Sequence, residues 1–290
     1  MFSRMASVRS AAIVGGGTMG RGIAQVFAAA GMATRLIERD AASAAAALRG
    51  LEEMLDREVA KWGMTAGEKK AIVKRIAIGT DHAAVAGVDV VLEAIQEDLA
   101  AKQALWVQIE QVAGPAVLKI THTATLSISE IASRLTDPGR MVGMHFLPPA
   151  PRIPVVEIVR GLKTTEAAFV AARDLAVALS KRPVEVFEYP GYITARVICP
   201  MLNEAMHALM EGVASAEDID IAMKLGFGFE AGPLHMADRI GLDGVLKWMN
   251  ALFSELGEAK FRPCPLLRKM VRAGQLGVKS GKGFFEYDAE

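Results

Sequence analysis

The stretch Ala12-Ile13-Val14-Gly15-Gly16-Gly17-Thr18-Met19-Gly20 constrains the fold more than any other part of the chain. A short apolar run enters Gly15-x-Gly17-x-x-Gly20, and Ile23, Ala24, Val26 and Phe27 continue with helical spacing. Strand, glycine turn and helix start in this order are the elements of a dinucleotide site. Gly15 permits the tight turn, Gly17 leaves the backbone open to a pyrophosphate, and Gly20 lets the helix pack closely on the strand. Thr18 and Met19 open the helix, whose free N–H groups and positive dipole end suit phosphate. Gly15, Gly17, Thr18, Met19 and Gly20 are therefore the candidate cofactor turn.

A second strand, Thr34 to Glu38, follows the first helix. Glu38 stands about twenty residues past the glycines, where an acid accepts hydrogen bonds from the adenosine ribose and repels a 2′-phosphate. The expected cofactor is NAD. Arg39, one residue later, is the group that would instead meet that phosphate in NADP.

The rest of the first half alternates strand-like and helix-like segments, as a parallel α/β sheet requires. Ala41 to Lys61 is alanine-rich and helical in propensity. Thr65 and Glu68 have the spacing of a capping box, so a second helix runs to about Arg75 and makes a helical hairpin with the first. Further strands are expected at Arg75–Ile78, Asp89–Ala94, Ala116–Ile120, Met141–Phe146, Val155–Val159 and Pro183–Phe187, with helices at Leu99–Val112 and Thr165–Leu179. After Glu188-Tyr189-Pro190-Gly191 the alternation stops, and Ile193–Gly212, Ser215–Gly226 and Asp243–Leu256 read as helices. The fold class is thus α/β: a Rossmann-type dinucleotide-binding domain over 1–188, followed by an all-helical second domain over 189–290. A small-molecule cleft between two such domains is the expected arrangement.

Composition narrows the function. The 290 residues carry 33 basic and 33 acidic side chains and no basic cluster with interleaved aromatics, which argues against a nucleic-acid surface. Cys199 and Cys264 make neither a disulfide framework nor, with scattered histidines, a metal site. No apolar run is long enough to cross a bilayer. Met1 to Arg9 reads as a frayed tail, and a cytoplasmic protein is expected.

His145 ends a predicted strand and enters the loop Phe146-Leu147-Pro148-Pro149-Ala150-Pro151. Its imidazole is of the right type to take a hydroxyl proton near neutral pH. Glu157 lies on the next strand, where it can orient the ring and stabilise an imidazolium. A structural histidine and a surface glutamate are the plain alternative. His122 lies where ligands bind in open α/β sheets and offers either a ligand contact or a loop hydrogen bond. His82 falls in a turn, His207 in a helix, and His235 at a helix start near Pro233.

Together these residues resemble the L-3-hydroxyacyl-CoA dehydrogenase family, including its short 3-hydroxybutyryl-CoA members. The likeness spans nearly the whole chain. It rests on the glycine turn, Val91-Leu92-Glu93-Ala94-Ile95-Gln96-Glu97, Gly143-Met144-His145-Phe146, Pro154-Val155-Val156-Glu157-Ile158-Val159 and Pro190-Gly191-Tyr192-Ile193. Further marks are Gly232-Pro233-Leu234, Gly241-Leu242-Asp243 and Gly277-Val278-Lys279-Ser280-Gly281-Lys282-Gly283-Phe284-Phe285. The resemblance implies NAD as cofactor, His145 as the base for the C3 hydroxyl and Glu157 as its orienting acid. It places Glu97 beside the nicotinamide and Lys102 among the cofactor residues. It also implies a dimer formed through the helical domain and a small-molecule substrate, an acyl-CoA or a 3-hydroxy acid.

The departures fall on substrate positions. The family's Asn-Thr-Ser is here His122-Thr123-Ala124, its Phe-Phe-Asn-Pro is Phe146-Leu147-Pro148-Pro149, and its Asn-Arg is Ala195-Arg196. Lys61 matches a lysine that meets the CoA phosphates, but Trp62 follows it. His122, Ala124, Pro148, Ala195 and Lys61 are therefore the candidate substrate residues. Three readings stay open: an acyl-CoA enzyme with replacement contacts, a dehydrogenase of a non-CoA 3-hydroxy acid, and an NAD-binding homologue with weak catalysis and a regulatory or structural role.

Overall fold

The computed structural model describes residues 8–287. Of the expected tail, Met1–Ser7 lie outside the described residues. Val8 and Arg9 are not frayed: Val8 packs on the core, and the Arg9 amide donates to Asp89 Oδ2 at 2.9 Å. The chain divides into two compact units after Glu188.

The first unit is built around eight strands: β1 (Ser10–Val14), β2 (Ala33–Ile37), β3 (Ile76–Gly79), β4 (Val90–Glu93), β5 (Leu118–Thr121), β6 (Met141–Phe146), β7 (Val155–Arg160) and β8 (Arg182–Phe187). They form one sheet in the order β3-β2-β1-β4-β5-β6-β7-β8. All neighbours run parallel except β6 and β7, which are antiparallel. The order reverses at β1, so the crevice at its carboxyl end lies at the topological switch point. β4, β5 and β6 are buried along their whole length, which explains why the apolar run Val90-Val91-Leu92 of β4 does not alternate; the polar side chains on these strands, Glu93, Lys119, Thr121 and His145, are buried too. β8 is the exposed edge.

Helices α1 (Thr18–Ala29), α2 (Ala41–Ala60), α3 (Ala66–Arg75), α4 (Leu99–Val112), α5 (Ile128–Ala132) and α6 (Glu166–Ala178) complete the unit. The capping box at Thr65 and Glu68 is formed in full. The α2–α3 hairpin buries Leu51, Leu55 and Ile72 against Ala28 of α1, and its turn carries Trp62 at a positive φ of 57°.

The second unit comprises α7 (Thr194–Met210), α8 (Ala216–Phe227), α9 (Pro233–Ile240), α10 (Leu242–Leu256) and α11 (Pro265–Arg272). Leu202, Met206, Leu234, Val245, Met249 and Phe261 are among its buried core. Ser215 caps α8 by accepting from the Asp218 amide at 3.1 Å. The Asp218 carboxylate, however, accepts from the Ser215 hydroxyl and not from its amide, so only half of a capping box forms. The carboxyl-terminal Gly-Lys-Gly-Phe-Phe segment wraps Asp238, which accepts from the amides of Phe284 and Phe285 and from the Tyr287 hydroxyl. A Cβ at Gly283 would lie 2.0 Å from the Asp238 carboxylate, which accounts for that glycine.

Candidate active site

The glycine turn connects β1 to α1. Gly15 has φ of 102°, and a Cβ there would come within 2.8 Å of the Ala94 carbonyl oxygen. A Cβ at Gly20 would lie 1.7 Å from the Gly15 carbonyl oxygen, whereas nothing stands within 4 Å of one at Gly17. Two glycines therefore serve the fold and the third leaves open space. Gly17 is the N-cap of α1 and makes no side-chain capping bond, so the first-turn amides beyond it at Thr18, Met19 and Gly20 are not capped from that side. This is a cradle into which a pyrophosphate fits.

Glu38 follows β2 and folds back on the turn. Its Oε1 accepts from the Gly16 amide at 2.6 Å, and its Oε2 from the Arg39 amide at 3.2 Å. The Arg39 guanidinium turns to Asp40 at 3.0 Å. A groove beside them is lined by Gly15, Gly17, Glu38, Ser43, His82 and Ile95. His82 thus lies nearer the cofactor groove than its place in a turn indicates.

Beyond the glycine turn, β4 ends in a buried polar cluster. Lys102 of α4 and Glu93 of β4 are both fully buried and lie 2.5 Å apart. The ammonium also donates to the His122 carbonyl at 2.9 Å, and Glu93 accepts from Thr121 Oγ1 at 2.6 Å and the Ile95 amide at 2.8 Å. Burial pushes the Glu93 carboxyl up from its ordinary value, with Lys102, Thr121 and Ile95 opposing. Glu97 Oε1 accepts from Thr123 Oγ1 at 2.5 Å and from the Ala124 and Thr125 amides at 2.9 and 3.1 Å. Burial works against the Glu97 carboxylate, but the Lys102 charge and these donors hold its pKa below the usual range. The resemblance groups Lys102 with the cofactor residues; its ammonium is buried here between Glu93 and the His122 carbonyl. Ala124 is buried and offers no hydroxyl, and its amide is taken by Glu97.

β6 and β7 carry His145 and Glu157, the base and orienting acid that the resemblance implies. Their antiparallel register sets His145 directly opposite Glu157, so both side chains leave the same face of the sheet. Nδ1 of His145 lies 2.6 Å from Oε2 of Glu157, and each side chain is only 2% exposed. A carboxylate can only accept, so the ring hydrogen sits on Nδ1 and Nε2 is left as the basic atom. His122, just past β5, stacks beside this ring with centroids 5.9 Å apart and planes inclined by 25°. Its Nδ1 lies 3.1 Å from the Met144 carbonyl. Burial pushes the His122 pKa down to about 3, with the neighbouring His145 and Lys102 adding to the effect.

The loop from Leu147 to Pro154 follows His145. Pro148 is exposed on it and has no amide hydrogen to give. Nothing in the sequence singles out Lys181, between α6 and β8. Its ammonium clamps the loop by donating to the carbonyls of Ala150, Pro151 and Ile153 at 2.7, 3.1 and 2.7 Å. Arg152 on the same loop pairs with Glu58 of α2 at 2.7 Å. That contact brings the end of α2, and with it the exposed Lys61, to the side of the loop that follows the base. Ala195 belongs to the second unit, where it is buried in α7.

Comparison with known proteins follows the same two units. Residues 10–189 match the 3-hydroxyacyl-CoA dehydrogenase NAD binding domain, and residues 191–287 match the 3-hydroxyacyl-CoA dehydrogenase C-terminal domain. A probable 3-hydroxybutyryl-CoA dehydrogenase of Bacillus subtilis is 42% identical, covering 97% of this chain and 98% of the relative. A 3-hydroxybutyryl-CoA dehydrogenase of Clostridioides difficile is 38% identical over 96% of this chain and 99% of its own. The crystal structure of an (S)-3-hydroxybutyryl-CoA dehydrogenase from Ralstonia eutropha superposes with a TM-score of 0.88 at 38% identity, covering 98% of this chain and 100% of that one.

Proposed function

The chain belongs to the 3-hydroxyacyl-CoA dehydrogenase family and is an NAD-dependent oxidoreductase, and we propose that it oxidises the C3 hydroxyl of a short L-3-hydroxyacyl-CoA. The observation that carries this reading is the buried His145–Glu157 pair at the ligand end of a sheet that also bears the glycine cradle. Nε2 of His145 takes the hydroxyl proton. Glu157 fixes the tautomer and balances the imidazolium that results, so the proton leaves the alcohol without exposing an unpaired buried charge. NAD, when bound, accepts the hydride from C3. Glu38 takes the adenosine ribose, and Glu97 with its bonded loop braces the nicotinamide side.

The second reading, a free 3-hydroxy acid or a bulkier acyl group, is favoured by one observation. Ala124 and Pro148 stand where the family offers a serine hydroxyl and an asparagine amide, and neither can bond a substrate oxygen through its side chain. NADH formation with 3-hydroxybutyryl-CoA, longer acyl-CoA homologues and free 3-hydroxy acids separates the two. Turnover confined to free acids would reject the thioester reading. An H145A protein that binds NADH yet keeps near-wild-type turnover would remove His145 from its role.

Among the described residues no helix is long and apolar enough to cross a membrane. We take the protein to work in the cytoplasm as a homodimer formed through residues 189–290. Ile221 and Leu225, one turn apart on α8, are 52% and 77% exposed, which suits burial against a second copy. A monomeric mass at micromolar protein would reject the dimer.

A further inference from the structure

We propose that His122 is a cofactor-binding residue whose Nε2 accepts a hydrogen bond from the nicotinamide riboside half of NAD. The inference rests on the NAD-dependent reading of the glycine cradle and on four features of the structure.

The first is the tautomer. His122 Nδ1 is 3.1 Å from the Met144 carbonyl and 3.4 Å from the Phe146 amide. The shorter contact is to an atom that can only accept, so it assigns the ring hydrogen to Nδ1 and a lone pair to Nε2. The second is charge. Burial, with His145 and Lys102 nearby, keeps the ring neutral at working pH. The third is accessibility: His122 is partly exposed, and among the described residues nothing hydrogen-bonds Nε2.

The fourth is placement. Glu38 ends β2 on one side of β1, while His122 follows β5 on the other side, beyond β4. A dinucleotide with its adenosine ribose at Glu38 and its pyrophosphate over the start of α1 extends its remaining half towards β4 and β5. His122 also stacks on His145, the base that must face the carbon donating hydride to the nicotinamide.

Ligand chemistry selects the partner. A 3-hydroxyacyl thioester has one hydrogen-bond donor near the reacting carbon, and His145 removes it. Its 3-oxo product has none there. The nicotinamide riboside carries carboxamide N–H groups and ribose hydroxyls in both oxidation states. An acceptor imidazole beside the base is therefore satisfied throughout turnover by the cofactor and not by the acyl group.

The test is a binding titration on the full chain without substrate, using NADH, ADP-ribose and ADP against wild type, H122N and H122F. H122F is expected to weaken NADH about 10-fold, the size of one lost hydrogen bond, and to leave ADP unchanged. H122N, which keeps an acceptor, is expected to lose less. ADP-ribose retains the ribose hydroxyls but lacks the carboxamide, so its loss in H122F assigns the ribose, and its indifference assigns the carboxamide. NADH binding by H122F within twofold of wild type overturns the proposal. Equal weakening of ADP also overturns it, because the effect would then be on the fold. Nitrogen-15 NMR of the free protein provides an independent check: an Nε2–H tautomer at His122 overturns the assignment.

Discussion

Glu157 Oε2 accepts from Nδ1 of His145, 2.6 Å away, across a single rung of the β6–β7 ladder. The acid is buried, so its effect is not diluted by water. E157Q preserves the shape of the side chain but removes the charge that balances the imidazolium. We expect kcat to fall by about 10²-fold, with NADH affinity unchanged. Steady-state kinetics beside an NADH fluorescence titration checks both. Wild-type kcat in E157Q would show the pair to be structural.

The glycine turn predicts two different failures. A Cβ at Gly17 meets no protein atom within 4 Å, so G17A is expected to fold with a nearly unchanged Tm and to bind NADH at least about tenfold more weakly, because a methyl group stands in the phosphate space. A Cβ at Gly20 would overlap the Gly15 carbonyl at 1.7 Å, so G20A is expected to lower Tm before any ligand is added. Thermal melts with and without NADH separate the cases. Intact NADH affinity in G17A would place the pyrophosphate elsewhere.

Cofactor choice depends on Glu38 rather than on Arg39. Glu38 is held on the Gly16 amide, and Arg39 is directed to Asp40. Calorimetry is expected to give tighter binding of NADH than of NADPH in wild type. In E38S the ratio should move towards NADPH by about tenfold as the repulsion of a 2′-phosphate is removed. Tighter NADPH binding by wild type would mean that Arg39 prevails.

Glu110 gives the fold an acid-sensitive element. Burial works against its carboxylate, but the Lys119 ammonium and the Thr136 and Asp137 amides prevail and bring the pKa down to about 2 from 4.5. The folded pKa lies below the unfolded one, so the contribution is present above about pH 4.5 and is lost as pH falls towards 2. Its ceiling is about 3 kcal/mol at neutral pH. Urea unfolding should show E110Q less stable than wild type at neutral pH, and the gap should narrow below about pH 4. A gap that does not change with pH would remove charge as its cause.

Much of this architecture is legible in the sequence because it is written in local signals. The capping box at Thr65, the apolar run of β4 and the break after Glu188 each need only a few neighbouring residues. His145 and Glu157 were readable as a pair because consecutive strands brought them together. The clusters that depend on distant segments were not. Nothing near Lys102 in the chain announces that its ammonium lies against Glu93, and Lys181 reaches the Ala150 and Ile153 carbonyls across some thirty residues of sequence. Helix α11 is not among the expected elements, although Pro265 at its first position is a start signal present in the sequence. The expected Arg75–Ile78 strand begins one residue later, because α3 holds on to Arg75.

The reversal of β7 has a consequence for how such a site can diverge. Because β6 and β7 are joined directly, the segment from Leu147 to Pro154 passes over the ligand end of the sheet with no crossover helix to constrain it. The base and its acid keep their alignment through the ladder on either side, whatever that segment contains. On the function proposed above, selectivity and chemistry are then separable: replacing Pro148 in the loop would alter what the site admits, while the ladder keeps His145 opposite Glu157.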